Sequence, residues 1–247
     1  EASLLYEKNT AIEGRESRFH RDEVTYVSTG EGATSEGEFW ESLNSACLGR
    51  APVVYLVEDN GYAISVPVEV QTAGGDVSKL VSSFPGLFVQ SIDGTDFLAS
   101  FRAMSDAIAY ARARKGPALV HAKVIRPYSH SLSDDEKFYK TSVERAEEST
   151  RDPIVKLAEF LKAERFATDD ELATIRQDVD REVNDAADRA VRRAAKRALY
   201  RLSQRGVMPA PSPPPAPVVQ RRAPRAVRAW LSGIDGSGSR AAWILFE

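Results

Sequence analysis

Two turns that follow apolar runs carry polar groups suited to binding a cation. In the segment STGEGATSEGEFW, Glu31 stands between Gly30 and Gly32, directly after the apolar run VTYVSTG. Glycines let a ligand approach the backbone closely, and the beginning of a following helix offers unpaired N–H groups to phosphate. A carboxylate beside a phosphate is repulsive unless a cation lies between them, so Glu31 predicts a magnesium ion.

The second turn follows the next apolar run, in the segment VEDNGYAIS. Because adjacent parallel strands end at the same edge of a sheet, we expect Asn60 to lie close to Glu31. A turn through Gly61 can expose the carbonyl of Tyr62 as a third ligand, and diphosphate oxygens and water would complete the coordination. Taken singly, each turn also fits ordinary strand-end chemistry, in which Gly and Asn tolerate left-handed backbone.

Three histidines offer groups that titrate near neutral pH. His130 lies in RPYSHSLSDD, in the loop after the last predicted strand, where an imidazole could bind phosphate or move a proton. A solvated loop histidine is the alternative interpretation. His121 falls inside the apolar run PALVHAKVI and is expected to be a packed core residue, whereas His20 precedes the sheet in a charged segment. We expect Arg126 to brace the loop of His130.

The elements that must position these residues form an α/β pattern between positions 24 and 125. Short apolar runs, typical of strands buried on both faces, alternate with segments of helical period. The strand-like runs are VTYVSTG, PVVYLVEDN, LFVQSIDG and PALVHAKVI, and the clearest helical segments are 36–48 and 97–114. The sequence therefore predicts a parallel sheet with helices on both faces and right-handed connections.

The chain changes character toward its end. After position 152, the run DPIVKLAEFLKAE and a longer stretch with one apolar stripe predict amphipathic helices. The longer helix would pack on its own domain or clasp a second subunit. From Gly206 onward there are five arginines, two acids and no lysine, and seven of the 13 prolines lie within 209–224. We predict an α/β domain over 1–150, a helical region over 151–205, and a disordered tail over 206–247 that is either a linker or a frameshift product.

The composition is that of an ordinary globular protein. A net charge of -3 gives no overall attraction to nucleic acid or to a membrane, and no apolar run approaches the roughly 20 residues of a membrane span. The first residues lack the basic start and apolar core of a secretory signal. The single cysteine, Cys47, excludes an intramolecular disulfide. We therefore expect a cytoplasmic protein that binds neither nucleic acid nor membrane.

Together the two turns resemble the cofactor fingerprint of thiamine-diphosphate-dependent enzymes, a Gly-Asp/Glu-Gly turn followed by a turn that contains asparagine. More narrowly, GEGATSEGEFWESLN, DNGYAISVP and RPYSHSLSDD resemble the alpha part of the decarboxylating first component of 2-oxoacid dehydrogenase complexes, of pyruvate or branched-chain type. The likeness runs from about Val24 to about Ala190. It implies the thiamine-diphosphate-binding fold.

The resemblance implies oxidative decarboxylation of a 2-oxo acid, with thiamine diphosphate and Mg²⁺ as cofactors and transfer of the acyl group to a lipoyl carrier. The implied partners are the beta part of the same enzyme, as a subunit or a fused domain, and a lipoyl-bearing acyltransferase. His130 would be both catalytic and cofactor-binding, and Ser131 a formal phosphorylation site. The other implied site residues are Gly30, Gly32 and Ala33 for the diphosphate, and Glu31, Asn60 and the carbonyl of Tyr62 for the metal ion.

Two features predict an incomplete enzyme. Only 23 residues precede the first predicted strand, so we expect the upstream segment of the family to be absent, and no segment resembles the beta part. The expected result is an incomplete catalytic half-site. The alternatives are a transketolase-like or acetoin-cleaving thiamine enzyme, against which the SHSLSDD loop argues, and a truncated fragment without turnover. Glu58, beside the metal turn, leaves the choice of 2-oxo acid open.

Overall fold

The computed structural model describes residues 22–204, and these fall into two compact units, 22–166 and 167–204. The strands of the first unit are Thr25–Gly30 (β1), Val53–Asp59 (β2), Tyr62–Ala63 (β3), Val66–Pro67 (β4), Phe88–Asp93 (β5) and Ala118–Lys123 (β6). Four of them form a parallel sheet in the order β1-β2-β6-β5, and β3 and β4 form a separate antiparallel hairpin. The predicted α/β class with a parallel sheet is confirmed.

The helices of the first unit lie between and after these strands. They are Gly37–Gly49 (α1), Val68–Gln71 (α2), Val77–Val81 (α3), Phe97–Arg112 (α4), Ser142–Ser149 (α5) and Pro153–Ala163 (α6). Local chemistry sets their ends: the Asp96 carboxylate accepts a hydrogen bond from the Ala99 N–H at the start of α4, and Thr141 and Glu144 form a reciprocal capping box on α5. The predicted helices at 36–48 and 97–114 correspond to α1 and α4.

The central strands β2 and β6 are buried on both faces by different helices, whereas no residue of the edge strand β1 is fully buried. On one face, Tyr55, Val57 and Leu119 pack against Phe39 and Leu43 of α1 and against residues of α3. On the opposite face, Val54 and Val120 pack against three alanines of α4, spaced four residues apart. Small side chains at that spacing let a helix lie close to the sheet. The strand periodicity therefore builds two apolar layers, with helices on both faces as predicted.

The register of the strands places their carboxyl ends at one edge. Gly30 at the end of β1 pairs with Glu58, and Asp59 at the end of β2 pairs with Lys123. The segments that follow β1, β2 and β6 therefore leave the sheet on the same side. In open α/β sheets this edge is where ligands bind.

The second unit is described over 167–204 and contains the helix Asp169–Gln204 (α7). Thr168 precedes it, and its hydroxyl and N–H both donate to the Glu171 carboxylate. Acidic residues in the first turn complement the positive end of the helix dipole. Between residues 22 and 204, none of the helices has the length and apolar character needed to cross a membrane. His20 and the predicted tail lie outside the described residues, and the domain limits at 150 and 205 stay predictions.

Candidate cofactor site

Glu31 occupies the first position after β1 and is almost fully buried, with 1% of its surface exposed. Its Oε2 accepts a hydrogen bond of 3.2 Å from the backbone N–H of Asn60. This contact brings together the turns that follow β1 and β2. The other carboxylate oxygen, Oε1, is buried without a hydrogen-bond partner. A buried, unpaired carboxylate oxygen is costly, and a cation is the group that would satisfy it best.

The electrostatics of Glu31 are unusual for a glutamate. Burial raises its pKa above the ordinary value, and the hydrogen bond from Asn60 lowers it without outweighing the burial. Within residues 22–204, no group of three or more carboxylate, imidazole or thiolate side chains is arranged to hold a metal ion. A cation bound at Glu31 would therefore take its other ligands from amide, carbonyl and phosphate oxygens, which is the ligand set that Mg²⁺ accepts.

The turn from Asp59 to Tyr62 is fixed by its own hydrogen bonds. The Asp59 Oδ1 accepts from the Gly61 N–H at 2.9 Å, and the Asn60 Oδ1 accepts from the Tyr62 N–H at 3.2 Å. Gly61 has φ +81°, a left-handed conformation that favours glycine. The turn is therefore preorganised, and the Asn60 side-chain oxygen lies at the same sheet edge as Glu31.

The residues assigned to the diphosphate form the tight turn after β1. Gly30 is the last residue of β1, and Ala33 is exposed in the short 3₁₀ helix Gly32–Ser35. A Cβ at Gly32 would lie 2.8 Å from the Cβ of Ala63, so this position has no room for a side chain. The backbone of the turn is thus held against the β3–β4 hairpin.

Gln71 is a site residue that sequence reasoning missed. Its side-chain NH₂ donates to the Gly32 carbonyl at 2.7 Å and to the Ser35 Oγ at 2.9 Å. Gln71 thereby ties α2 to the turn after β1. No periodicity or motif marks a glutamine at the end of a four-residue helix, so only the folded structure identifies it.

Substituting Gly32 with alanine is expected to destabilise the protein by about 1–3 kcal/mol, because the new methyl group overlaps Ala63 and forces the turn to move. Gly37→Ala is the matched control, since a Cβ there meets nothing within 4 Å. Urea unfolding of both variants measures the difference. Equal stabilities for the two variants would show that the close contact at Gly32 is relieved at no cost.

The loop that carries His130 is connected to this edge through Arg126. The Arg126 guanidinium donates to the Ile64 carbonyl at 2.8 Å and to the Tyr139 hydroxyl at 2.5 Å. The Tyr139 hydroxyl donates to the Asp134 carboxylate at 2.6 Å, and the same carboxylate accepts from the His130 N–H at 2.9 Å. The backbone at His130 is therefore tied to the segment after the cation turn.

The Tyr62 ring is part of the same network. Its hydroxyl donates to the Glu144 carboxylate at 2.6 Å, and this bond, with burial, raises the pKa of Tyr62 to about 12. The Arg126 guanidinium lies 5.9 Å from the Tyr62 ring centroid and 5.7 Å from that of Tyr139. His130 is exposed, and its imidazole makes no hydrogen bond to another described residue. The structure thus joins the loop to the turn through Arg126 and Tyr62, and not through the His130 ring.

Comparison with known proteins relates this sequence to a family. The family model described as "Dehydrogenase E1 component" matches residues 12–198. The 3-methyl-2-oxobutanoate dehydrogenase subunit alpha of Mycobacterium tuberculosis is 37% identical over 147 residues, which cover 59% of this chain and 39% of that protein.

Two mammalian relatives give a similar result. The somatic, mitochondrial pyruvate dehydrogenase E1 component subunit alpha of Sus scrofa is 36% identical over 168 residues, covering 68% of this chain and 42% of that protein. The corresponding mitochondrial subunit of Sminthopsis macroura is 34% identical over 168 residues and is covered to 46%. The chain thus spans less than half the length of these relatives. The match to the family model, over most of the chain, confirms the resemblance drawn from the two turns and the histidine loop: the chain belongs to the dehydrogenase E1 component family.

Proposed function

We propose that this chain is the cofactor-binding alpha part of the first component of a 2-oxoacid dehydrogenase complex, and that it binds thiamine diphosphate through a magnesium ion. Membership of the E1 family implies thiamine diphosphate. The observation that supports the cation is the Glu31 carboxylate, which is buried with one unpaired oxygen and lies against the Asn60 turn. The chemistry of the surrounding oxygens fits Mg²⁺.

Each residue has a separate role in this proposal. The Glu31 carboxylate, the Asn60 side-chain oxygen and the Tyr62 carbonyl would hold the cation. The backbone of Gly30, Gly32 and Ala33 would lie against the diphosphate. When bound, thiamine diphosphate supplies the carbanion chemistry that releases carbon dioxide from a 2-oxo acid. His130, on a loop that Arg126 fixes, would hold or move a proton during the reaction.

The relatives also support a proposal for the substrate and the partners. The names of the relatives point to 3-methyl-2-oxobutanoate or pyruvate, so we propose a 2-oxo acid of this class as the substrate. The relatives are named as alpha subunits, which supports a beta part as the partner that completes the site. A lipoyl-bearing acyltransferase would receive the acyl group.

Titration calorimetry of the 247-residue chain with thiamine diphosphate, with and without Mg²⁺, tests this proposal. We expect binding that requires the cation, because Glu31 alone would repel the diphosphate. Chelation of Mg²⁺ should reverse the binding. Equal affinity in the presence and absence of Mg²⁺, or no binding in either condition, would contradict the proposal.

A further inference from the structure

A second polar cluster lies next to the cation turn and is not among the residues proposed to bind the cofactor or the cation. His121, in the middle of the sheet on β6, is fully buried. Its Nε2 lies 2.7 Å from the Asp59 Oδ2, and its Nδ1 lies 3.3 Å from the Asp76 Oδ1. The first contact is a hydrogen bond, whereas the second is a looser electrostatic contact. The imidazole therefore lies between two carboxylates in the core.

Packing alone does not explain a histidine at this position. The neighbouring residues of β6, Leu119 and Val120, lie one in each apolar layer and have no exposed surface. An apolar side chain at position 121 could fill the same space, but it would remove one partner of a buried polar cluster, which is usually destabilising. It would also leave the two carboxylates facing each other without a polar group between them. The histidine is therefore matched to Asp59 and Asp76.

Each carboxylate also determines a piece of local backbone. Asp59 uses its second oxygen, Oδ1, to accept the Gly61 N–H, which shapes the turn after β2. Asp76 is the N-cap of α3, and its Oδ1 accepts from the N–H and hydroxyl of Ser78. His121 thus connects the start of α3 to the turn that contains Asn60.

We propose that His121 is a positioning residue for the cation site. By holding one oxygen of Asp59, it orients the other toward the Gly61 N–H, and so fixes the turn that presents Asn60 and Tyr62. This inference rests on the proposed function for the identity of the ligand, but the positioning itself is a property of the chain without any ligand. Residues that support metal ligands from outside typically change metal affinity by about 10- to 100-fold.

Amide hydrogen exchange of the metal-free, 247-residue chain tests the positioning directly. In His121→Leu we expect the Gly61 amide to exchange at least about tenfold faster, because its acceptor is no longer held. The control Val120→Ala weakens the same strand without touching Asp59, and it should change exchange throughout the sheet instead. His121→Gln, whose amide can still donate to Asp59, should retain most of the Gly61 protection.

A second pair of variants covers the case in which His121→Leu does not fold because two carboxylates are left facing each other. His121→Leu combined with Asp76→Asn removes that repulsion, and Asp76→Asn alone is its control. The double variant should lose Gly61 protection, and the single variant should keep it. If the Gly61 amide exchanges at the same rate in both, His121 does not position the turn.

The second readout is the affinity for Mn²⁺ with thiamine diphosphate, measured by electron paramagnetic resonance. We expect the double variant to bind Mn²⁺ about 10- to 100-fold more weakly than Asp76→Asn. Unchanged Mn²⁺ affinity in a variant whose Gly61 amide is unprotected would overturn the inference and leave the proposed function intact. If the wild-type chain does not bind Mn²⁺, the proposed function fails, and the hydrogen-exchange result alone decides whether His121 positions the turn.

Discussion

Glu31→Gln is expected to abolish the cation-dependent binding of thiamine diphosphate and, at the same time, to stabilise the metal-free protein. The amide keeps the volume of the glutamate and can still accept the Asn60 N–H, but it carries no charge for the cation. We expect the affinity for Mg²⁺ to fall by about 100-fold or more. Glu31 would bind the cation directly, and residues that only support a metal ligand already change the affinity by about 10- to 100-fold. Calorimetry with Mg²⁺ and thiamine diphosphate measures this loss.

The gain in stability follows from the raised pKa of Glu31. Burial raises that pKa in the folded state, so the folded protein binds the proton more tightly than the unfolded chain does. The associated stability is present below the unfolded pKa of the glutamate and is lost as the pH rises through the higher, folded pKa. In the metal-free wild type, the free energy of unfolding should decrease over this window. Glu31→Gln should lack that decrease and should be more stable than the wild type at neutral pH.

Glu38→Gln provides the control, because it makes the same chemical change at an exposed residue in the first turn of α1. It should leave both the cation dependence and the pH profile unchanged. A Glu31→Gln protein that still requires Mg²⁺ for cofactor binding would remove Glu31 from the cation site. A variant less stable than wild type at neutral pH would show that the carboxylate is already compensated within the fold.

Lys140→Ala is expected to destabilise the protein strongly, by about 3–5 kcal/mol. The Lys140 ammonium is fully buried and donates to both oxygens of Glu148, at 2.6 and 2.7 Å. It also lies 5.2 Å from the centroid of the Tyr62 ring. Removing the ammonium leaves the largely buried Glu148 carboxylate unpaired and takes away the support beneath Tyr62. Chemical unfolding of the metal-free chain measures the effect.

Lys137→Ala is the matched control, three residues away on the exposed side of the same segment. Its effect should stay within about 0.5 kcal/mol, as for most surface substitutions. A double substitution, Lys140→Met with Glu148→Gln, should recover part of the lost stability, because it removes the Lys140–Glu148 pair together and leaves only the Glu136 carboxylate, 3.9 Å from the Lys140 Nζ, without its partner. A cost below about 1 kcal/mol for Lys140→Ala would mean that water reaches Glu148 once the lysine is gone.

The parts of the fold that the sequence predicts are those in which many residues repeat one signal. The four runs predicted as strands contain β1, β2, β5 and β6, because each is rich in β-branched and aromatic residues. The expected burial on both faces holds for β2 and β6, whereas no residue of the edge strand β1 is fully buried. The predicted helical segment 97–114 contains α4, and the Asp96 carboxylate fixes its first turn by accepting the Ala99 N–H. The adjacency of Glu31 and Asn60 follows from the parallel order of β1 and β2.

What the sequence does not predict depends on single contacts between distant segments. The β3–β4 hairpin and the short helices α2 and α3 contain too few residues for a period to emerge. The Gln71 side chain donates to the Gly32 carbonyl across 39 positions, and the buried Lys140 ammonium donates to Glu148, eight positions later. His121 was expected in the core, where it lies, but one of its two carboxylate neighbours ends β2 and the other caps α3. Such pairings depend on tertiary placement, which no local pattern encodes.

The spatial order of the parallel sheet has a consequence for how the chain folds. β6 lies between β2 and β5, although it is the last of these four strands along the chain. A nascent chain can therefore pair β1 with β2 early, but β5 has no neighbour in the sheet until residues 118–123 have left the ribosome. Paired residues of β2 and β6, such as Val54 and Ala118, are 64 positions apart, whereas those of β1 and β2, such as Thr25 and Val53, are 28 apart, and contacts between more distant segments form more slowly. We expect a long-lived intermediate with β1 and β2 paired and β5 undocked, in which the alanine-lined face of α4 is open to chaperones.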